Sequence, residues 1–273
     1  VPSICSGRCR LHWLILMAVH SFETMGTMVS IRIADAEIVE HTTDDSAISV
    51  INEIEHEFAR HNERFSLYLD QSEISQIAAG TLSLADASEE MREEYARALR
   101  WREQTDGAFT PHRPDGVIDL SGTIKAVAIA AASQMLPGAG FVNFSVNVGG
   151  DLITAGNQGS DELGWITGIV DPEDRGTVMA AVRLNAKFPA MATSGSAERG
   201  EHIWLRPETI KDFVQATVIA EDILTADVLA TAIISGGQAT LDQITQNFDV
   251  AVLTVAPNGS LQANPRFQEL IAR

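Results

Sequence analysis

The stretch Val142-Asn143-Phe144-Ser145-Val146-Asn147-Val148-Gly149-Gly150-Asp151 alternates apolar and polar residues and then breaks at two glycines. A period of two is the signature of a half-buried strand, and paired glycines permit a tight turn. Just before it, Ile124 to Leu136 is Ala-rich and reads as a helix stopped by Pro137-Gly138. After it come short strands around 164–170, 177–184 and 214–220, then helices over Leu224–Ile234 and Gln238–Phe248. Asp249–Ala256 reads as a strand, and Pro257-Asn258-Gly259-Ser260 turns it back as a hairpin. Toward the N-terminus, Met28–Ile33 alternates as a strand. Ile48, Ile51, Ile54, Phe58 and Phe65 fall near helical spacing, so residues 46–64 read as an amphipathic helix. Ser88 followed by Glu89 and Glu90 starts another helix, with Met91, Tyr95, Ala98 and Leu99 on its inner side. Residues 105–122 read as a long loop. Strands and helices mix without regular strand–helix alternation, which predicts an α+β fold.

The chain has 273 residues, 45% hydrophobic and 21% charged, a globular composition. Its formal net charge is −18, which argues against binding a nucleic-acid backbone or an anionic membrane face. Cys5 and Cys9 are its only cysteines, so the body of the chain holds no disulfide framework and no Cys-based zinc site. The apolar run within Leu11–Val19 is too short to span a bilayer. Arg8 and Arg10 precede it, but no small-residue cleavage site follows. Residues 1–20 are therefore expected to form an extension to a domain over 21–273, with the folded chain starting near Met17 and a cytoplasmic location as the default. The GxSxG, HExxH, P-loop and GxGxxG patterns do not occur.

Asp227 and Thr231 are one helical turn apart in Ala226-Asp227-Val228-Leu229-Ala230-Thr231, so their side chains share a face. Such a carboxylate and hydroxyl can hold a hard cation such as magnesium. They can equally be a helix cap and a Thr bonded back to its own helix. Ser121-Gly122-Thr123-Ile124-Lys125 is a small-residue turn entering a helix. Its backbone amides and Lys125 can face a diphosphate, or can form an ordinary helix start. Asn147 to Asp151 allows close backbone approach, or is a plain turn with an Asx cap. His202, within Glu198-Arg199-Gly200-Glu201-His202, is either a general base or a surface histidine.

In order along the chain stand Met25-Gly26-Thr27, Phe65-Ser66-Leu67-Tyr68, Ser72-Glu73-Ile74-Ser75 and Thr105-Asp106-Gly107-Ala108-Phe109. Asp119 to Lys125, Asn147 to Leu152, Trp165 to Pro172, Ala192-Thr193-Ser194-Gly195, His202-Ile203 and Ala226 to Ala232 follow. This series resembles the ApbE family of FAD:protein FMN transferases, over about Phe22 to Val255. The resemblance implies mixed sheets and helices in two interleaved lobes, with FAD in the cleft between them. It implies magnesium on the FAD diphosphate, held by Asp227, Thr231 and the backbone oxygen of Gly122. Flavin contacts are implied at Met25, Phe65, Ser66, Leu67, Lys125 and around His202-Ile203. The implied reaction moves FMN from FAD to a Thr hydroxyl of a partner flavoprotein and releases AMP, with His202 as the candidate base. The sequence departs from the family pattern at Thr110, Ala126, Ala130, Ala197 and Arg206. An FAD-binding relative with little activity and an FAD pyrophosphatase are the alternatives.

Overall fold

The computed structural model describes residues 18–35, 45–159, 163–195 and 212–272. Its strands are β1 (Ala18–Thr24), β2 (Thr27–Ile33), β3 (Phe144–Val148), β4 (Asp151–Ala155), β5 (Trp165–Val170), β6 (Val178–Leu184), β7 (Ala190–Gly195), β8 (Gln215–Ala220), β9 (Ala251–Val255) and β10 (Leu261–Ala263). The helices are α1 (Asp45–Phe65), α2 (Glu73–Ala78), α3 (Glu89–Gln104), α4 (Ser121–Gly138), α5 (Ile223–Asn247) and α6 (Pro265–Leu270). Eight strands form one sheet in the order β1-β2-β3-β4-β7-β8-β9-β10, and β5-β6 form a separate hairpin. All neighbouring pairs are antiparallel. The class is α+β, as the sequence predicts.

The two faces of the sheet bury different partners. Val29, Ile31, Val146, Val148, Ala216, Val218 and Val252 point to one face, where Ile54, Phe58, Ile124, Ile129 and Ile233 from α1, α4 and α5 cover them. On the other, Leu152, Met191, Ile219, Ala251 and Leu253 pack under the β5–β6 hairpin and α6 through Trp165, Ile169, Val182, Leu184 and Phe267. Every residue of β8 and β9 is buried, as strands covered on both faces require. Helix α5 is long and apolar enough to cross a membrane, but 67% of that stretch is buried inside the fold. It is a core helix, apolar around most of its circumference because β7, β8 and α4 enclose it. Gly237 takes φ 68° and bends α5 there, which is where the sequence separates two helices.

Strand β1 begins at Ala18, and His20 is paired with Ile31. Residues 18–20 therefore belong to the sheet and not to an extension; residues 1–17 lie outside the described residues.

One end of the sheet gathers the segments that matter next. The β1–β2 turn is Met25-Gly26, with φ 49° and 69°, and the β3–β4 turn is Gly149-Gly150, with φ 60° and 100°. Both carry the positive φ that tight two-residue hairpins need. The Gly149 N–H donates to the Met28 carbonyl at 3.1 Å. Asp151 opens β4 beside this turn, Thr193 N–H reaches Asp151, and Gly195 at the end of β7 pairs with Gln215 at the start of β8.

Candidate active site

Lys125 lies in the second turn of α4, whose register turns it toward β4 and α5. Its ammonium forms an ion pair with Asp151 Oδ2 and stands 3.7 Å from Asp227 Oδ2. Asp151 is 1% exposed and Asp227 4%. Asp151 Oδ1 also accepts the Thr193 N–H at 2.9 Å. Among the described residues, two buried carboxylates thus face this ammonium. Buried carboxylates are stabilised by nearby cations.

Asp227 is inside α5, not at its cap. The cap is Asp222, whose carboxylate accepts the Thr225 N–H at 2.9 Å. One turn beyond Asp227, the Thr231 hydroxyl lies 3.1 Å from the Ser194 hydroxyl at the end of β7. Asp227 and Thr231 therefore present oxygens to the adjoining α4 and β7. This hard-oxygen pair suits magnesium, which takes few protein ligands and keeps water or phosphate in its other positions. Among the described residues, no group of three or more His, Cys, Asp or Glu is assembled as a metal site.

Gly122 is in the first turn of α4, one turn before Lys125 and on the same face. A Cβ at position 122 would come within 2.9 Å of Phe109 Cε2. Glycine is what lets the loop carrying buried Phe109 lie directly on this turn. The amides expected to face a diphosphate are partly engaged. Ser121 N–H donates to Asp119 Oδ1 at 2.9 Å, while Thr123 and Ile124 N–H donate to the Leu120 carbonyl. A local acceptor is the ordinary way to satisfy a helix start.

Met25 holds a left-handed conformation rare for a non-glycine residue and packs partly buried against the main core. Phe65 ends α1 and is itself a core residue, 4% exposed, with its ring stacked on His61 at 6.1 Å between centroids. The next residues form a braced turn. The Ser66 carbonyl accepts the Ser72 hydroxyl at 2.7 Å and the Ser75 hydroxyl at 3.3 Å, and Leu67 packs on the core. Behind them, Arg60 bridges Glu57 and Glu90, and Arg64 pairs with Glu73 and Glu90. Burial pushes the His61 imidazole below its ordinary value of 6.5. His202, Ile203, Ala197 and Arg206 lie outside the described residues.

Sequence reasoning passed over two contributors. Asp151 stood in a segment read as a close backbone approach or a plain turn, with no role of its own, because its partner Lys125 is brought near only by the packing of α4 on the sheet. Ser194 sat inside a quoted segment without a role, because Thr231 reaches it only through the α5–β7 contact. Cavity size does not mark the site. A cleft of about 260 Å³ lined by Asp171, Met179, Val214, Pro257 and Asn258, among others, shares no residue with the charged cluster. Another of about 320 Å³ adjoins the Ser66–Leu67 turn through Leu69, Asp70 and Ser72.

The sequence model described as the ApbE family matches residues 25–113 and 110–254. Over 163 residues, 55% of this chain, the sequence is 30% identical to an FAD:protein FMN transferase of Rhodobacter capsulatus, spanning 30% of that protein. Over 159 residues, 54% of this chain, it is 28% identical to an FAD:protein FMN transferase of Klebsiella pneumoniae (strain 342), spanning 44% of that protein. The match thus spans less than half the length of either relative. The fold superposes on the crystal structure of the ApbE protein of Thermotoga maritima with a TM-score of 0.76, at 22% identity, covering 94% of this chain and 100% of that one.

Proposed function

Because this chain belongs to the ApbE family, we propose that it is an FAD:protein FMN transferase, moving FMN from FAD to a Thr hydroxyl of a partner flavoprotein with release of AMP. The observation that carries the reading is the cluster of Lys125 with buried Asp151 and Asp227, beside the Thr231–Ser194 hydroxyls. In a chain of net charge −18, a diphosphate needs local positive charge. Lys125 supplies one unit, and the Asp227–Thr231 oxygens, with the Gly122 carbonyl, would hold magnesium as another. When bound there, magnesium neutralises charge that builds on the diphosphate during transfer.

The chain's own residues do the rest. Lys125 binds and orients a diphosphate oxygen, while Asp151 fixes its ammonium. Met25 and the Ser66–Leu67 turn hold the flavin end, with Phe65 supporting that turn from the core. The acceptor Thr oxygen attacks the phosphorus on the riboflavin side, the bond to the AMP phosphate oxygen breaks, and AMP leaves in line. His202 is the base that takes the Thr proton. The strands flanking its segment leave and rejoin the sheet at Gly195 and Gln215, the end where Asp151 begins β4.

The test is incubation with FAD and magnesium, with and without a Thr-bearing flavoprotein. Acceptor-dependent AMP release is the expected result. AMP with free FMN and no acceptor dependence identifies a pyrophosphatase. Binding of FAD with no AMP identifies a flavin-binding relative, and either result overturns the transferase reading.

A further inference from the structure

Asp151 and Asp227 are both buried, and the Lys125 ammonium lies between them, ion-paired with Asp151 and 3.7 Å from Asp227. A buried carboxylate needs a compensating cation, and losing it is costly. Asp227 is also the charged member of the oxygen pair read above as the magnesium donors. A divalent ion on Asp227 and an ammonium within about 4 Å of the same carboxylate repel each other strongly at protein dielectric. We propose that Lys125 is the resident counter-cation of this site, neutralising Asp227 while no divalent ion is bound and yielding it to the ion when one arrives.

This inference rests on the reading of Asp227 and Thr231 as magnesium donors. Asp151 makes the exchange inexpensive. Its Oδ1 is fixed by the Thr193 N–H and its Oδ2 holds the ammonium, so Lys125 keeps one buried partner when it gives up the other. The ammonium released from Asp227 then faces the incoming diphosphate. Metal and diphosphate binding are thereby coupled, each favouring the other by reciprocity. In the absence of the dinucleotide, Lys125 holds magnesium affinity down.

Titration calorimetry of magnesium chloride into the nucleotide-free protein tests this without reference to turnover. Lys125→Met should bind magnesium at least about tenfold more tightly than wild type, since a unit charge near 4 Å is worth more than that factor at protein dielectric. Equal or weaker binding by Lys125→Met, with wild-type binding intact, overturns the proposal and leaves the magnesium reading standing. Binding by neither protein overturns both. If Lys125→Met does not fold, the wild type still decides. The lysines of the chain are Lys125, Lys187 and Lys211, so Cε-labelled protein gives an assignable spectrum. Magnesium should move the Lys125 resonance along the calorimetric saturation curve and leave the Lys187 resonance in place. A Lys125 resonance unmoved at saturating magnesium overturns the proposal.

Discussion

Replacing Asp151 by Asn removes one charge from the site and little else. The amide keeps an Oδ1 for the Thr193 N–H, which now donates to the carboxylate at 2.9 Å, and keeps the shape of the buried side chain. Removing one partner of a buried ion pair costs about 3–5 kcal/mol when the other charge is stranded. Lys125 is not fully stranded here, because Asp227 remains 3.7 Å away and the Lys125 side chain is 17% exposed. Both features lower the cost, to about 1.5–3 kcal/mol. Asp151→Ala loses the acceptor of the Thr193 amide as well, adding about 1–2 kcal/mol. At about 2–4 °C per kcal/mol for a domain of this size, Asn should lower the melting temperature by about 3–12 °C, and Ala by more. Urea unfolding midpoints at constant slope measure the same order. If Asp151→Asn unfolds with the wild type while Asp151→Ala is strongly destabilised, Asp151 serves only as an amide acceptor and the charge argument fails.

Two further predictions concern groups whose burial sets the sign of a pH effect. His61 is held neutral by burial, below its ordinary 6.5. Its contribution is thus fully present above that value and is lost as pH falls through the lower folded-state value; unfolding midpoints should drop on acidification below about pH 6.5, less so in His61→Gln. An equal drop in both proteins refutes the assignment. Glu94 is buried, its Oε2 has no hydrogen-bond partner among the described residues, and burial raises its carboxyl above the ordinary 4.5. The folded state therefore favours the protonated acid, an advantage present below 4.5 and lost as pH rises. Glu94→Gln should raise stability by about 1 kcal/mol near neutral pH and lose that gain in acid; a destabilised variant at neutral pH contradicts it.

Much of the fold was legible because its signals are local. Alternation over Val142–Val148 encodes a strand, the glycine pair after it a tight turn, and Pro257–Ser260 a hairpin, each within a few residues, and the structure forms all three, while the return strand β4 was not read. The bend at Gly237 was legible for the same reason. Strand β7 was not, since Ala190-Met191-Ala192-Thr193-Ser194-Gly195 carries no β-branched alternation and is covered on both sides. Strand β1 was hidden in the apolar run before it, and its outward residues are exposed at the sheet edge. Of the site, Lys125, Asp227 and Thr231 stood out by spacing and family order. The dependence of Lys125 on Asp151, and of Thr231 on Ser194, arises only when α4 and α5 pack on the sheet.

The central claim is that this cluster serves FMN transfer, and the mass of an acceptor flavoprotein after incubation with FAD, magnesium and this protein tests it most directly. The account predicts an acceptor heavier by one FMN at its Thr, about one AMP released per modification, and neither product from a folded Asp227→Asn variant. An unmodified acceptor with the wild-type protein, or equal modification by Asp227→Asn, would contradict it.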